Sequence, residues 1–93
     1  MQRHTFSYGG KGHRILSALR NGPAYRSELV LDDPKAGYVL HALMRVGMIK
    51  PGAGRYMITP LGVDALRDLD SGQAVTAYEG GGNVRVFAQA GAA

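Results

Sequence analysis

With 93 residues, 45% of them hydrophobic and 19% charged, the chain is long enough for one domain around a single modest core and too apolar for wholesale disorder. Its net charge of +4 permits an anionic partner such as nucleic acid without demanding one. There is no cysteine, which excludes disulfides and thiolate metal sites; no apolar run has membrane-spanning length and none near Met1 reads as a signal peptide, so a soluble cytoplasmic protein is the expectation.

Residues 1–11 mix bases and aromatics: Arg3, His4, Phe6, Tyr8 and Lys11. A short strand over residues 5–8, ended by Gly9-Gly10, and a flexible basic arm fit them about equally. Over residues 12–21, Ile15, Leu16, Ala18 and Leu19 keep helical spacing, and Asn21-Gly22-Pro23 stops the helix. A second short helix is predicted over residues 25–31, burying Ala24, Leu29 and Val30.

Asp32-Asp33-Pro34 then turns into a third helix. Asp33 supplies an N-cap oxygen, and Pro34 suits the first helical position, where no N–H is needed. At about 100° per residue, Ala36, Val39, Leu40, Leu43, Met44 and Val46 share one arc. Lys35, Tyr38, His41, Ala42 and Arg45 share the opposite one, so the helix buries one side and offers the other outward. Gly47 ends the period as a left-handed C-cap. Met48-Ile49-Lys50 and Arg55-Tyr56-Met57-Ile58-Thr59 flank Pro51-Gly52-Ala53-Gly54, which reads as a β-hairpin.

Thr59-Pro60 opens a fourth helix, whose Leu61, Ala65, Leu66 and Leu69 lie on one face. After Asp70-Ser71-Gly72 the character changes. Two β-prone stretches, residues 74–79 and 84–89, flank Gly80-Gly81-Gly82-Asn83. They read as a terminal hairpin, with a disordered tail as the alternative. The expected organisation is an arm or short strand over 1–11, a domain over 12–71 and a hairpin or tail over 72–93. The predicted class is mainly α with small β (α+β).

Several residue groups in this order resemble a known family. Ile15-Leu16-Ser17-Ala18-Leu19 with Gly22-Pro23 and Glu28-Leu29 is similar to the first two helices of winged helix-turn-helix domains. Leu40-x-x-Leu43-x-x-x-Gly47-x-Ile49 looks like the end of their recognition helix and the start of the wing. Arg55-Tyr56-x-Ile58-Thr59-Pro60-x-Gly62-x-x-x-Leu66 resembles the return strand and next helix of the MarR- and PadR-like bacterial and phage branches. The resemblance spans residues 12–69. It implies duplex DNA as partner, with the third helix in the major groove and the wing against the backbone or minor groove, in a small transcriptional regulator. It also implies that Lys35, Gly37, Tyr38, His41, Ala42 and Arg45 face bases or phosphates.

The residues agree in part. The major groove accepts one helix, and its base edges offer acceptors to Arg45 and methyl groups to Ala42; Gly37 lets the helix backbone approach closely. The plainer alternative is an ordinary solvated helix face, and Asp32 and Asp33 put negative charge where phosphates would lie. Lys50 and Arg55 bracket the loop as a phosphate-contacting wing requires, or else guard a sheet edge against aggregation. Arg26 and Ser27 sit where a phosphate would meet the second helix, or are ordinary surface residues.

Catalysis is not expected. His4, His13 and His41 lack metal-ligand spacing, and Gly9-Gly10-Lys11-Gly12 fails the P-loop pattern because Thr5 and Gly12 replace its first Gly and its Ser or Thr. No cofactor and no metal are expected. Tyr78, Val84, Val86 and Phe87 are more apolar than a solvated appendage needs. They suggest a homodimer through the C-terminal strands or, as a second functional class, an adaptor or inhibitor that binds another protein on the same frame.

Overall fold

Proline and cap residues set the helix starts where the sequence places them. In the computed structural model, which describes residues 3–79, the helices are α1 (Lys11–Leu19), α2 (Arg26–Val30), α3 (Pro34–Arg45) and α4 (Pro60–Asp70). The Asp33 carboxylate accepts the Lys35 N–H at 3.0 Å, and the Thr59 hydroxyl oxygen accepts the Gly62 N–H at 3.1 Å. Each satisfies a donor that the first helical turn leaves unpaired. α3 ends in a Schellman motif: Met48 N–H donates to Leu43 O, Gly47 N–H donates to Met44 O, and Gly47 takes φ 84°. α2 is one residue shorter at each end than expected.

The strands are β1 (Arg3–Phe6), β2 (Ile49–Gly52), β3 (Arg55–Ile58) and β4 (Val75–Tyr78). β2 and β3 form the predicted antiparallel hairpin, with Ile49 opposite Ile58 and Gly52 opposite Arg55. Its turn is tighter than expected, since Pro51 and Gly52 belong to the strand and only Ala53-Gly54 bridges it. Both bridging residues have positive φ, 52° and 78°, the handedness of a type I′ turn. Ala24, between α1 and α2, joins this hairpin through Ala24 N–H to Tyr56 O at 3.1 Å and Tyr56 N–H to Ala24 O at 2.8 Å.

β1 settles the choice left open for the N-terminal segment: a strand forms, two residues upstream of the predicted stretch. It pairs antiparallel with β4, Arg3 opposite Tyr78 and Phe6 opposite Val75. Within the described residues β4, the first stretch of the expected terminal hairpin, takes its hydrogen bonds from β1, a pairing the sequence reading did not include. Residues 84–89, with Val84, Val86 and Phe87, lie outside the described residues. Phe6, Val75 and Ala77 are buried in the β1–β4 pairing.

The core lies where the helices meet. α1 packs on α3 and α4, and α2 packs on α3. Ile15, Leu16 and Leu19 of α1 belong to one buried cluster with Leu29, Ala36, Leu40, Leu43, Val46, Met48, Ala65 and Leu69. α4 sits close to the start of β2 because residue 62 has no side chain: a Cβ there would collide with the Met48 carbonyl oxygen and with Ile58. The Thr59 hydroxyl also donates to Gly47 O at 2.6 Å, tying the end of α3 to the start of α4. The described residues form a compact α+β fold of four helices and two small antiparallel sheets. No helix among them is long and apolar enough to cross a membrane.

Candidate nucleic-acid interface

α3 presents the divided surface its periodicity predicts. Ala36, Leu40 and Leu43 are buried and Val39 and Met44 half-buried, whereas Lys35, Tyr38, His41 and Arg45 are exposed. Tyr38 stands 77% exposed, an unusual position for a large aromatic ring on a helix that is otherwise well packed. Arg26 and Ser27 are exposed at the start of α2, and Lys50 and Arg55 are exposed on opposite strands of the hairpin.

Two members of the expected face are placed differently. Gly37 is buried: a Cβ at this position would stand 3.1 Å from Arg26 Nη2, so the residue makes room for the Arg26 side chain and offers no surface of its own. It lies at the boundary of the two arcs, on the side where α2 crosses. Ala42 is half-buried and packs against the core, lining a groove with Tyr38, His41 and Arg45 beneath His4 and Glu79.

The cations fall into two settings. On one side Arg55 stacks over the Tyr25 ring, 4.9 Å from its centroid, and its Nη2 donates to the Tyr25 hydroxyl oxygen at 3.3 Å. Tyr25 directly precedes Arg26, so this stack joins the hairpin to α2, and Arg26 in turn joins α2 to α3 at Gly37. Arg26, Lys35, Lys50 and Arg55 have no carboxylate partner among the described residues. On the other side Arg45 Nη1 lies 3.5 Å from Glu79 Oε1, while Glu79 Oε2 accepts a hydrogen bond from His4 Nε2 at 2.7 Å. The hydrogen bond from His4 holds the Glu79 carboxyl below its ordinary range against the opposing effect of burial, with the Arg45 charge adding to it.

Asp33 is engaged with Lys11 at 2.7 Å in addition to its cap. Asp32 stays exposed in the turn between α2 and α3. That turn holds an unusual backbone: Leu31 has φ 53° and ψ −135°, with its side chain 63% exposed.

His13 is accounted for by structure. Its Nδ1 accepts the Gly9 N–H at 2.8 Å, which leaves the proton on Nε2 to donate to Asp70 Oδ1 at 2.7 Å. Asp70 also pairs with Arg20. The cluster fastens the start of α1 to the end of α4. Both ring nitrogens are committed. No group of three His, Cys, Asp or Glu side chains among the described residues is placed to hold a metal ion.

Sequence reasoning missed Tyr25, His4 and Glu79. The pattern Gly-Pro-x-Tyr-Arg ahead of a short helix was the only local sign for Tyr25, and nothing near Glu79 in sequence points to Arg45. Compared with protein-family models, with curated proteins and with solved structures, the chain finds no match.

Proposed function

We propose that this chain is a winged helix-turn-helix domain that binds duplex DNA as a small transcriptional regulator, without a catalytic role. The element order supports the fold: three closely connected helices, a hairpin, then a fourth helix, with Ala24 bridging to Tyr56 as a minimal third strand beside the hairpin. In this reading the exposed face of α3 enters the major groove and the β2–β3 hairpin lies along the backbone. Tyr38, His41 and Arg45 read base edges; Arg26, Lys35, Lys50 and Arg55 contact phosphates.

One observation carries the reading. Four exposed cations, on α2, α3, β2 and β3, have no carboxylate partner among the described residues, and α3 keeps a face that the core leaves uncovered. A solvated surface without a partner would be expected to interleave charges. The Arg55–Tyr25 stack supports it further, because it fixes the hairpin against α2 before any ligand arrives.

Salt dependence of duplex binding tests this directly. Four phosphate contacts give a slope of log K against log salt of about −3 to −4, and Lys50→Ala or Arg55→Ala should each flatten it by about one unit. A slope that neither substitution moves would remove the hairpin from the interface. The exposed Leu31 beside Asp32 favours a second reading, an adaptor that binds another protein through the α2–α3 turn. That reading predicts negligible duplex affinity at physiological salt.

A further inference from the structure

Arg45 differs from the other cations of the interface in having a carboxylate beside it. The carboxylate comes from outside the helical core: Glu79 follows β4, and its anchor, His4, lies in β1. The register of that sheet, with Arg3 opposite Tyr78 and His4 opposite Ala77, brings both side chains to the same end, next to the exposed face of α3. His4 Nε2 donates to one Glu79 oxygen at 2.7 Å, a firm charge-assisted bond. The second oxygen stands 3.5 Å from Arg45 Nη1, at the limit of a hydrogen bond. Glu79 is thus held by His4 and only leans on Arg45. The Arg45 side chain remains 64% exposed, against 23% for Glu79, and its Nε and Nη2 have no partner among the described residues.

We propose that Glu79, fixed by His4, is a positioning residue that aims the free edge of the Arg45 guanidinium at a guanine, so that the β1–β4 sheet takes part in reading sequence. The inference rests on the DNA-binding reading above. Two physical effects distinguish such a pair from a bare arginine. A neighbouring carboxylate cancels much of the charge that draws an arginine to phosphate, yet leaves its directional N–H donors intact for the neutral O6 and N7 acceptors of guanine. It also limits the rotamers of a long, flexible side chain, so less freedom is lost when the base contact forms. Arg45 is therefore suited to a base edge, whereas Arg26, Lys35, Lys50 and Arg55, without carboxylates, are suited to the backbone. A carboxylate acting instead as a screen would engage the fork closely. Here the short bond goes to His4.

The test selects a preferred duplex from a random pool with the wild-type chain. Binding is then measured by fluorescence anisotropy to that duplex, to its single-base-pair variants and to an unselected duplex, for wild type, Glu79→Gln, His4→Gln, Arg45→Ala and the Arg45→Ala/Glu79→Gln double variant, with thermal melting of each. The quantity read is discrimination, the affinity ratio between the preferred base pair and its replacement. Arg45→Ala should relax discrimination at one G·C pair, and Glu79→Gln and His4→Gln should each lower it there by roughly ten-fold. Glu79→Gln should add nothing further in the Arg45→Ala background. Unchanged discrimination in Glu79→Gln, with or without a rise in affinity for every duplex, would overturn the proposal; so would a loss at a different base pair, or one additive with Arg45→Ala. If Glu79→Gln fails to fold, His4→Gln decides by the same criteria. A wild-type chain that binds no duplex refutes the DNA reading and this inference with it, whereas duplex binding with discrimination indifferent to Glu79 and His4 refutes this inference alone.

Discussion

Arg45 and Arg55 carry the same group in different surroundings, and the difference sets what each should do. Arg55 lies on an aromatic ring with its charge uncancelled, and its loss should weaken binding to every sequence. Arg45 leans against Glu79, and Arg45→Ala should cost about 1–3 kcal/mol on a preferred duplex while leaving the salt slope nearly unchanged. Equal losses on preferred and unselected duplexes, seen in parallel anisotropy titrations, would assign Arg45 to the backbone instead. The carboxylates also set the response to acid. Asp70 is held below its usual range first by the hydrogen bond from His13, with burial opposing and Arg20 adding; Asp33 is lowered by Lys11 and its capped N–H groups, and Glu79 by His4. A carboxylate lowered in the folded state adds stability above its unfolded pKa, and that contribution disappears as pH falls through the folded value. The melting temperature should therefore fall below about pH 4. Asp70→Asn should already melt lower at neutral pH and lose less on acidification. An Asp70→Asn profile of melting temperature that coincides with wild type from pH 7 to pH 2 would show that the His13–Asp70–Arg20 cluster contributes nothing to folding.

At the level of single elements, the two turns hold residues that their backbone does not favour. Leu31 at φ 53° and ψ −135° takes a conformation that suits glycine, and Ala53 at φ 52° occupies a type I′ position usually given to Asn, Asp or Gly. Leu31→Gly and Ala53→Asn should each stabilise the fold by about 0.5–1 kcal/mol, read as a higher urea midpoint at constant m. If neither midpoint rises, the turns are not strained in solution. Elements with local signals were legible in the sequence. Asp33-Pro34 and Thr59-Pro60 mark helix starts through backbone groups only a few residues away, and Gly47 marks an end for the same reason. The hairpin was legible too, though Pro51 drew its loop too wide: a proline was read as loop when it sits in the strand. Burial of Gly37 was not legible, because a residue without a side chain carries no hydropathy and its angular position borders both arcs. The pairing of β1 with β4 was out of reach for a different reason. Its partners lie about seventy residues apart, too far for any local signal to join them.

Taken whole, the molecule attaches a two-stranded sheet made from both ends of the described chain to a helical core, along the flank of α3. The core buries the apolar side of α3; the hairpin and α2 supply positive charge without carboxylate partners among the described residues, and the β1–β4 sheet brings a carboxylate, Glu79, to Arg45. This asymmetry was only half visible from the sequence, which set Arg45 apart from Lys50 and Arg55 but gave no sign of the carboxylate beside it. The central claim is that the exposed face of α3 and the β2–β3 hairpin act as one surface for a duplex. Titration of an isotope-labelled chain with duplex DNA, followed by amide and side-chain NMR shifts, tests it most directly. Shifts should cluster at Tyr25, Arg26, Tyr38, His41, Arg45, Lys50 and Arg55, and spare Val63 and Arg67 on α4. Shifts centred on α4, or none at physiological salt, would contradict the account.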